Sequence, residues 1–202
     1  MRTIAKGAIL GVLFALGQLL QGVGLGSTQA ATNGFIASLY VVFTPLIAAV
    51  IFRKKVSNAV WGAVALATVG MGVLALDPSS LGSGFGGIGQ LLTLASALAY
   101  AGHIVATGRF ANPSNVASLG LYQTITVAIV CTMAALPGGL SAPAQMEDWL
   151  ALAYLAIICG TLTTFMQSWG QARVESTRAA VIMCTEPLWG CLLYTSPSPR
   201  DK

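Results

Sequence analysis

GLGSTQAATNGFIASLYVVFTP, residues 24–45, leaves one apolar run through small and polar residues and begins another that carries a polar stripe and a proline. Pro45 removes a backbone donor and crowds the preceding turn, so a helix through it is expected to kink. The stripe and the kink are expected to serve whatever this chain moves or binds. The number and arrangement of the apolar runs on either side decide the fold.

Composition sets the class. Of 202 residues, 55% are hydrophobic and 8% charged, with a mean hydropathy of +0.78. A soluble domain carries about 25% charged residues, so this chain is read as an all-α integral membrane protein embedded in a lipid bilayer. A transmembrane barrel would alternate apolar and polar residues over about ten positions, whereas the runs here are continuous. The formal charge of +4 comes from basic residues in short loops between apolar runs, which gives no nucleic-acid surface.

A span needs about 20 mainly apolar residues. Six complete candidates cover residues 7–25, 34–52, 59–76, 89–108, 117–136 and 149–170, and a seventh starts near Ala179. Arg2 and Lys6 precede the first; Arg53, Lys54 and Lys55 follow the second; Arg109 follows the fourth; Arg173 and Arg178 follow the sixth. The intervening loops hold no Lys or Arg, and Asp77, Glu147 and Asp148 fall in them or at their edge. Every basic residue before position 191 thus lies on one side of an alternating topology, which the positive-inside rule makes cytoplasmic.

Other features carry less. Gly82, Gly84 and Gly87 form a GxGxxG, but it follows an apolar run and a Pro-Ser loop rather than a strand, so it reads as an external linker. Cys131, Cys159 and Cys184 sit in apolar runs without metal-like spacing and read as small buried residues. No metal, cofactor or cleavable signal peptide is expected. The close-set glycines Gly7/Gly11 and Gly62/Gly70 are expected at helix contacts. The final CLLYTSPSPRDK, residues 191–202, resembles a translated transposon-type sequencing adapter and is set aside from the fold.

In hydrocarbon a polar side chain facing lipid is costly, so polar stripes mark faces turned to protein or water. Gln18 and Gln21 lie in the first run, and Asn33, Tyr40 and Thr44 in the second. Ser96, Tyr100, His103 and Thr107 fit one helix face in the fourth, as do Gly160, Thr164, Gln167 and Gln171 in the sixth. The third run, with Trp61 and Thr68 only, is expected to be peripheral. Gln18, Gln21, Tyr40, Tyr100, His103 and Gln167 are the candidate cavity residues; the bland alternative is hydrogen bonding that only glues the bundle. His103, the single histidine, and Glu186, the single acid inside a run, are candidates for proton coupling. Pro187 beside Glu186 is a second candidate kink. No nucleophile–base pair, metal cluster or phosphate loop is present, so no enzyme is expected.

Residues 167–188, QSWGQARVESTRAAVIMCTEPL, repeat the opening stretch. Both run Gln, Gly three positions on, a Ser-Thr pair, then Thr-Pro or Thr-Glu-Pro inside a span. The copies run in opposite senses across the membrane, as in the inverted repeats of secondary transporters.

On residues 24–55, on GAVALATVGMGVLAL (62–76) and on ESTRAAVIMCTEPLWG (175–190), the chain resembles the EamA-type members of the drug/metabolite transporter superfamily. The resemblance implies ten helices in two inverted five-helix repeats. Residues 1–76 would be the last three helices of the first repeat, 77–88 an external linker, and 89–190 the start of the second. It implies a plasma (inner) membrane secondary transporter, most simply an exporter, moving small polar metabolites or drugs by alternating access. The alternative from another class is a non-transporting assembly module whose stripes bind partner helices.

Overall fold

The computed structural model describes residues 2–28, 30–52, 87–139, 143, 145–183 and 185, with isolated positions 58, 61, 62, 65, 66 and 69. Helix α1 (Arg2–Leu25) is rich in Ala and Leu and free of proline. At 1.5 Å per residue it is about 36 Å long, enough to cross the roughly 30 Å hydrocarbon core. It ends in tight turns, where Gly26 N donates to Val23 O at 3.2 Å and Ser27 N to Gly24 O at 3.2 Å.

The second apolar run is two helices, α2 (Ala30–Ser38) and α3 (Tyr40–Phe52), with Pro45 inside α3. The α ladder lapses at Leu39, whose N–H turns to Ile36 O three residues back at 3.1 Å. Thr44 Oγ1 donates to Tyr40 O at 2.7 Å and Ser38 Oγ to Gly34 O at 2.7 Å. Such back-bonding bends helices, and it flanks the break on both sides.

Helices α4 (Ile88–Phe110) and α5 (Val116–Ala135) are joined by a short turn that Asn115 ties twice. Its Oδ1 accepts from Asn112 N at 2.8 Å, and its Nδ2 donates to Phe110 O at 3.0 Å. After a 3₁₀ turn at Leu136–Gly138, Gly139 takes φ +78°, a left-handed conformation that suits glycine. The next span starts as α6 (Met146–Tyr154), widens to a π-helix over Leu155–Leu162 and closes as α7 (Thr163–Gln171). Thr161 Oγ1 donates to Ala156 O and Thr163 Oγ1 to Ile158 O, each at 3.0 Å and five residues back, following the wider turn. Glu147 and Asp148 occupy the first turn of α6, where the helix dipole favours acids. Helix α8 (Ser176–Met183) starts the last described segment.

Among the described residues, five segments are long and apolar enough to cross a membrane: Thr3–Leu25, Thr32–Ile51, Ile88–Phe110, Val116–Gly138 and Met146–Gln171. They match five of the expected spans to within a few residues. The remaining complete span, residues 59–76, falls mostly outside the described residues, although Trp61, Leu66 and Val69 are exposed there. Most of residues 77–88 and all of 186–202 also lie outside them.

Helix α4 is the hub, packing on α1, α2, α3, α7 and α8, while α1 also packs along α5. Small residues set these distances. A Cβ on Gly11 would lie 2.8 Å from Gln123 O, and one on Gly7 would lie 2.6 Å from Tyr122 Cβ, so both glycines belong to the α1–α5 contact as expected. At Gly62 no described residue lies within 4 Å of the Cβ position, and Gly70 lies outside the described residues. At the end of α1 a Cβ on Gly24 would lie 2.7 Å from Gly89 O, so the GLGST turn lets the start of α4 come down to backbone contact.

Among the described residues Lys6, Arg109, Arg173 and Arg178 gather at one end. Lys6 Nζ lies 5.5 Å from the centroid of the Phe110 ring. The Gly108 backbone meets Ser176, between Arg173 and Arg178, and Arg109 is next to it. Beside this end sits an apolar cluster of Leu10, Ala111 and Leu119 packed with Ala106, Phe110 and Ala172.

Candidate functional site

The polar residues of α1, α2 and α4 meet in the half of the bundle away from the basic end. Tyr100 Oη donates to Gln21 Oε1 at 2.8 Å. Gly17, one turn before Gln21, makes room for this: a Cβ there would lie 2.6 Å from Tyr100 Cε1. Asn33 Nδ2 donates to Thr93 Oγ1 at 2.9 Å and to Gln21 O at 3.3 Å, tying α2 to both α4 and α1. Thr93 Oγ1 in turn donates to Gly89 O at 2.8 Å, and Ser96 Oγ to Thr93 O at 2.6 Å. In an interior without water each of these groups needs such a partner.

Phe14 continues the site along α4. Its ring lies 5.8 Å from that of Tyr100 and 5.1 Å from that of His103, both tilted, in the range favoured by aromatic pairs. His103 is buried, with Thr107 Oγ1 3.4 Å from its Nε2 and the side chain of Gln123 on α5 beside it. The arrangement is a polar column on α4 with an aromatic step at mid-height. Among the described residues it offers hydroxyl, carboxamide and imidazole groups and no fixed charge.

The candidates from sequence are distributed unevenly. Gln21, Tyr100 and His103 share this column through one hydrogen bond and Phe14. Asn33, Ala37 and Thr44 are buried and Tyr40 half-buried, so the stripe of the second run faces inward. Gln18 is exposed and makes no part of the Gln21–Tyr100 pair. On α7 the buried face is Thr164, Ser168 and Gln171, with Gln167 half-buried at its edge. Gly160 is exposed within the π-helix, whose wider turn shifts the register of the stripe. Glu186 and Pro187 lie outside the described residues. The sequence reading missed Gln123 and Ser168; a lone Gln in the apolar run 117–136 and the i, i+4, i+7 row Thr164, Ser168, Gln171 were the available signals.

Comparison with known proteins agrees with this architecture. The EamA-like transporter family matches residues 87–195, more than half of the 202 residues. An uncharacterized transporter of Archaeoglobus fulgidus is 29% identical over 185 residues, covering 91% of this chain. The chain spans 58% of that relative's length. A protein crystal structure with 18% identity superposes with a TM-score of 0.76, over 98% of this chain and 79% of that one, which shows a shared fold. With its apolar spans and helical bundle, this chain is a multi-pass membrane protein that belongs to the EamA-like transporter family, of the drug/metabolite transporter superfamily.

Proposed function

We propose that the chain forms part of a secondary transporter of the plasma (inner) membrane that exports small polar metabolites or drugs by alternating access. The observation that carries this reading is the Tyr100–Gln21 hydrogen bond, with Phe14 set between Tyr100 and His103. It joins α1 to α4, which the inverted-repeat reading assigns to different halves: residues 1–76 to the first, residues 89–190 to the second, with residues 77–88 as an external linker. A solute held there would touch both halves, so rocking one against the other would expose it alternately to the two sides. The family's transporter character and the absence of fixed charge in the column support a neutral or zwitterionic polar solute.

Gln21, Tyr100 and His103 would contact the solute directly, with Tyr40, Gln18 and Gln167 at the margins. Pro45 and Pro187 would supply local flexibility in the paired helices, and His103 or Glu186 would couple to protons. The basic end, carrying Lys6, Arg109, Arg173 and Arg178, would be cytoplasmic by the positive-inside rule. The full arrangement would be the ten-helix, five-plus-five fold that the resemblance implies.

The test is flux in proteoliposomes containing the purified protein, with a panel of labelled neutral amino acids, nucleosides and neutral drugs. Flux of at least one solute is expected, and Tyr100→Phe combined with Gln167→Leu is expected to change its rate or the order of preference. Unchanged rate and preference would overturn the cavity assignment. No flux of any solute, with stable association to another membrane protein, would favour the assembly module.

A further inference from the structure

The polar column differs between its two halves. Away from the basic end, Thr28 Oγ1 excepted, its buried groups are partnered: Gln21 with Tyr100, and Asn33 with Thr93 and the Gln21 carbonyl. Towards the basic end they are not. Gln123 is 0% exposed; its carboxamide faces the His103 ring, but neither Nε2 nor Oε1 makes a hydrogen bond of good geometry. Ser168 Oγ is unpartnered at 1% exposure, as is Gln171 Oε1 at 4%. Among the described residues Gln171 Nε2 meets the thioether of Met183, 4.0 Å away. These atoms come from α5 and α7, which pack on each other, with α4 against α7 and His103 of α4 beside Gln123.

A buried carboxamide or hydroxyl left without a partner costs about 1–3 kcal/mol, and nearly all such groups in folded proteins are paired with protein or water. Several on two adjacent helix faces suit bound water, which typically takes about three hydrogen bonds from otherwise unpaired polar groups. The route is set by chain position. Gln171 is the last residue of α7 and is followed by the exposed loop containing Arg173. Water from the opposite end would have to part the Tyr100–Gln21 and Asn33–Thr93 bonds. At the basic end the described residues in the way are apolar, Ala172 packed with Leu10, Leu119 and Phe110.

We propose that Gln123, Ser168 and Gln171 form an internal water-binding site beside His103, filled from the basic end of the bundle. The site places the only histidine of the chain within reach of water from one side of the membrane. It does not depend on solute transport: a bundle that moves no solute would hold the same water, and a transporter that lacks it would still carry flux.

Cysteine accessibility in membrane vesicles tests it without a substrate. In the full chain with its four cysteines replaced by serine, Ser168→Cys is reacted with a membrane-impermeant methanethiosulfonate applied to one face or the other. Thr164→Cys, one turn further in, serves as a second probe, and Ile157→Cys on the exposed apolar face as control. Ser168→Cys is expected to react from the basic-end side roughly tenfold faster than from the other side or than the control, since only a hydrated thiolate reacts. Thr164→Cys is expected to share the sidedness at a lower rate, and carries the test alone if Ser168→Cys does not accumulate. Reaction at the control rate from both sides, or faster reaction from the acidic-end side, would overturn the proposal.

Discussion

Tyr100 Oη donates to Gln21 Oε1 at 2.8 Å across 79 positions of sequence, and this bond joins α1 to α4. It forms because Gly17 leaves no side chain between the Tyr100 ring and the backbone of α1. The two helices are thereby held at one height.

The pair should be measurable as a coupling. Tyr100→Phe and Gln21→Leu, singly and together, form a double-mutant cycle read by unfolding in detergent micelles. The expected coupling is about 0.6 kcal/mol and no more than about 1.7 kcal/mol, the range for side-chain hydrogen bonds within membranes. Strictly additive effects would show that the bond does not form.

Two glycines on the same helix should respond oppositely. Gly17→Ala puts a methyl group against the Tyr100 ring, while Gly22→Ala meets nothing within 4 Å. The first is expected to destabilise by about 1–3 kcal/mol through overpacking. The second should be neutral or stabilising by up to about 1 kcal/mol, because alanine is the better helix former. Equal melting temperatures for the two variants would contradict the packing of α1 on α4.

Asn33 holds α2 to its neighbours through Thr93 and the Gln21 carbonyl. Asn33→Ala should cost about 1–3 kcal/mol, since it leaves buried acceptors short of a donor. Thr93→Val should cost a similar amount, and the double variant less than the sum because the two share a bond. Thermal unfolding of the three variants checks this.

Topology has its own test. The turn at Ser114 adjoins the basic end, while Gln145 precedes the acidic first turn of α6. Ser114→Cys and Gln145→Cys should be labelled by an impermeant thiol reagent from opposite faces of the membrane, with Ser114→Cys on the cytoplasmic face. Labelling from the same face would remove a span between them.

By itself the sequence determined the membrane class and five of the expected spans. These follow from hydropathy and charge, which act on each segment against the bilayer independently of its neighbours. The inward stripes of α2, α3 and α4 were legible for a related reason, because polar residues repeating at helical spacing cannot all face lipid. What the tertiary structure decided was which polar residues meet. Gln18 and Gln21 are alike in sequence, yet only Gln21 reaches Tyr100, because Gly17 sets the approach of α4. On α7 the packing against α4, α5 and α8 selects the face of Thr164, Ser168 and Gln171, so Ser168 rather than Gln167 is buried. Gln123 acquires its place beside His103 only when α5 closes on α1 through Gly7 and Gly11. Packing between helices depends on the shape of both surfaces, and no single segment of sequence contains it.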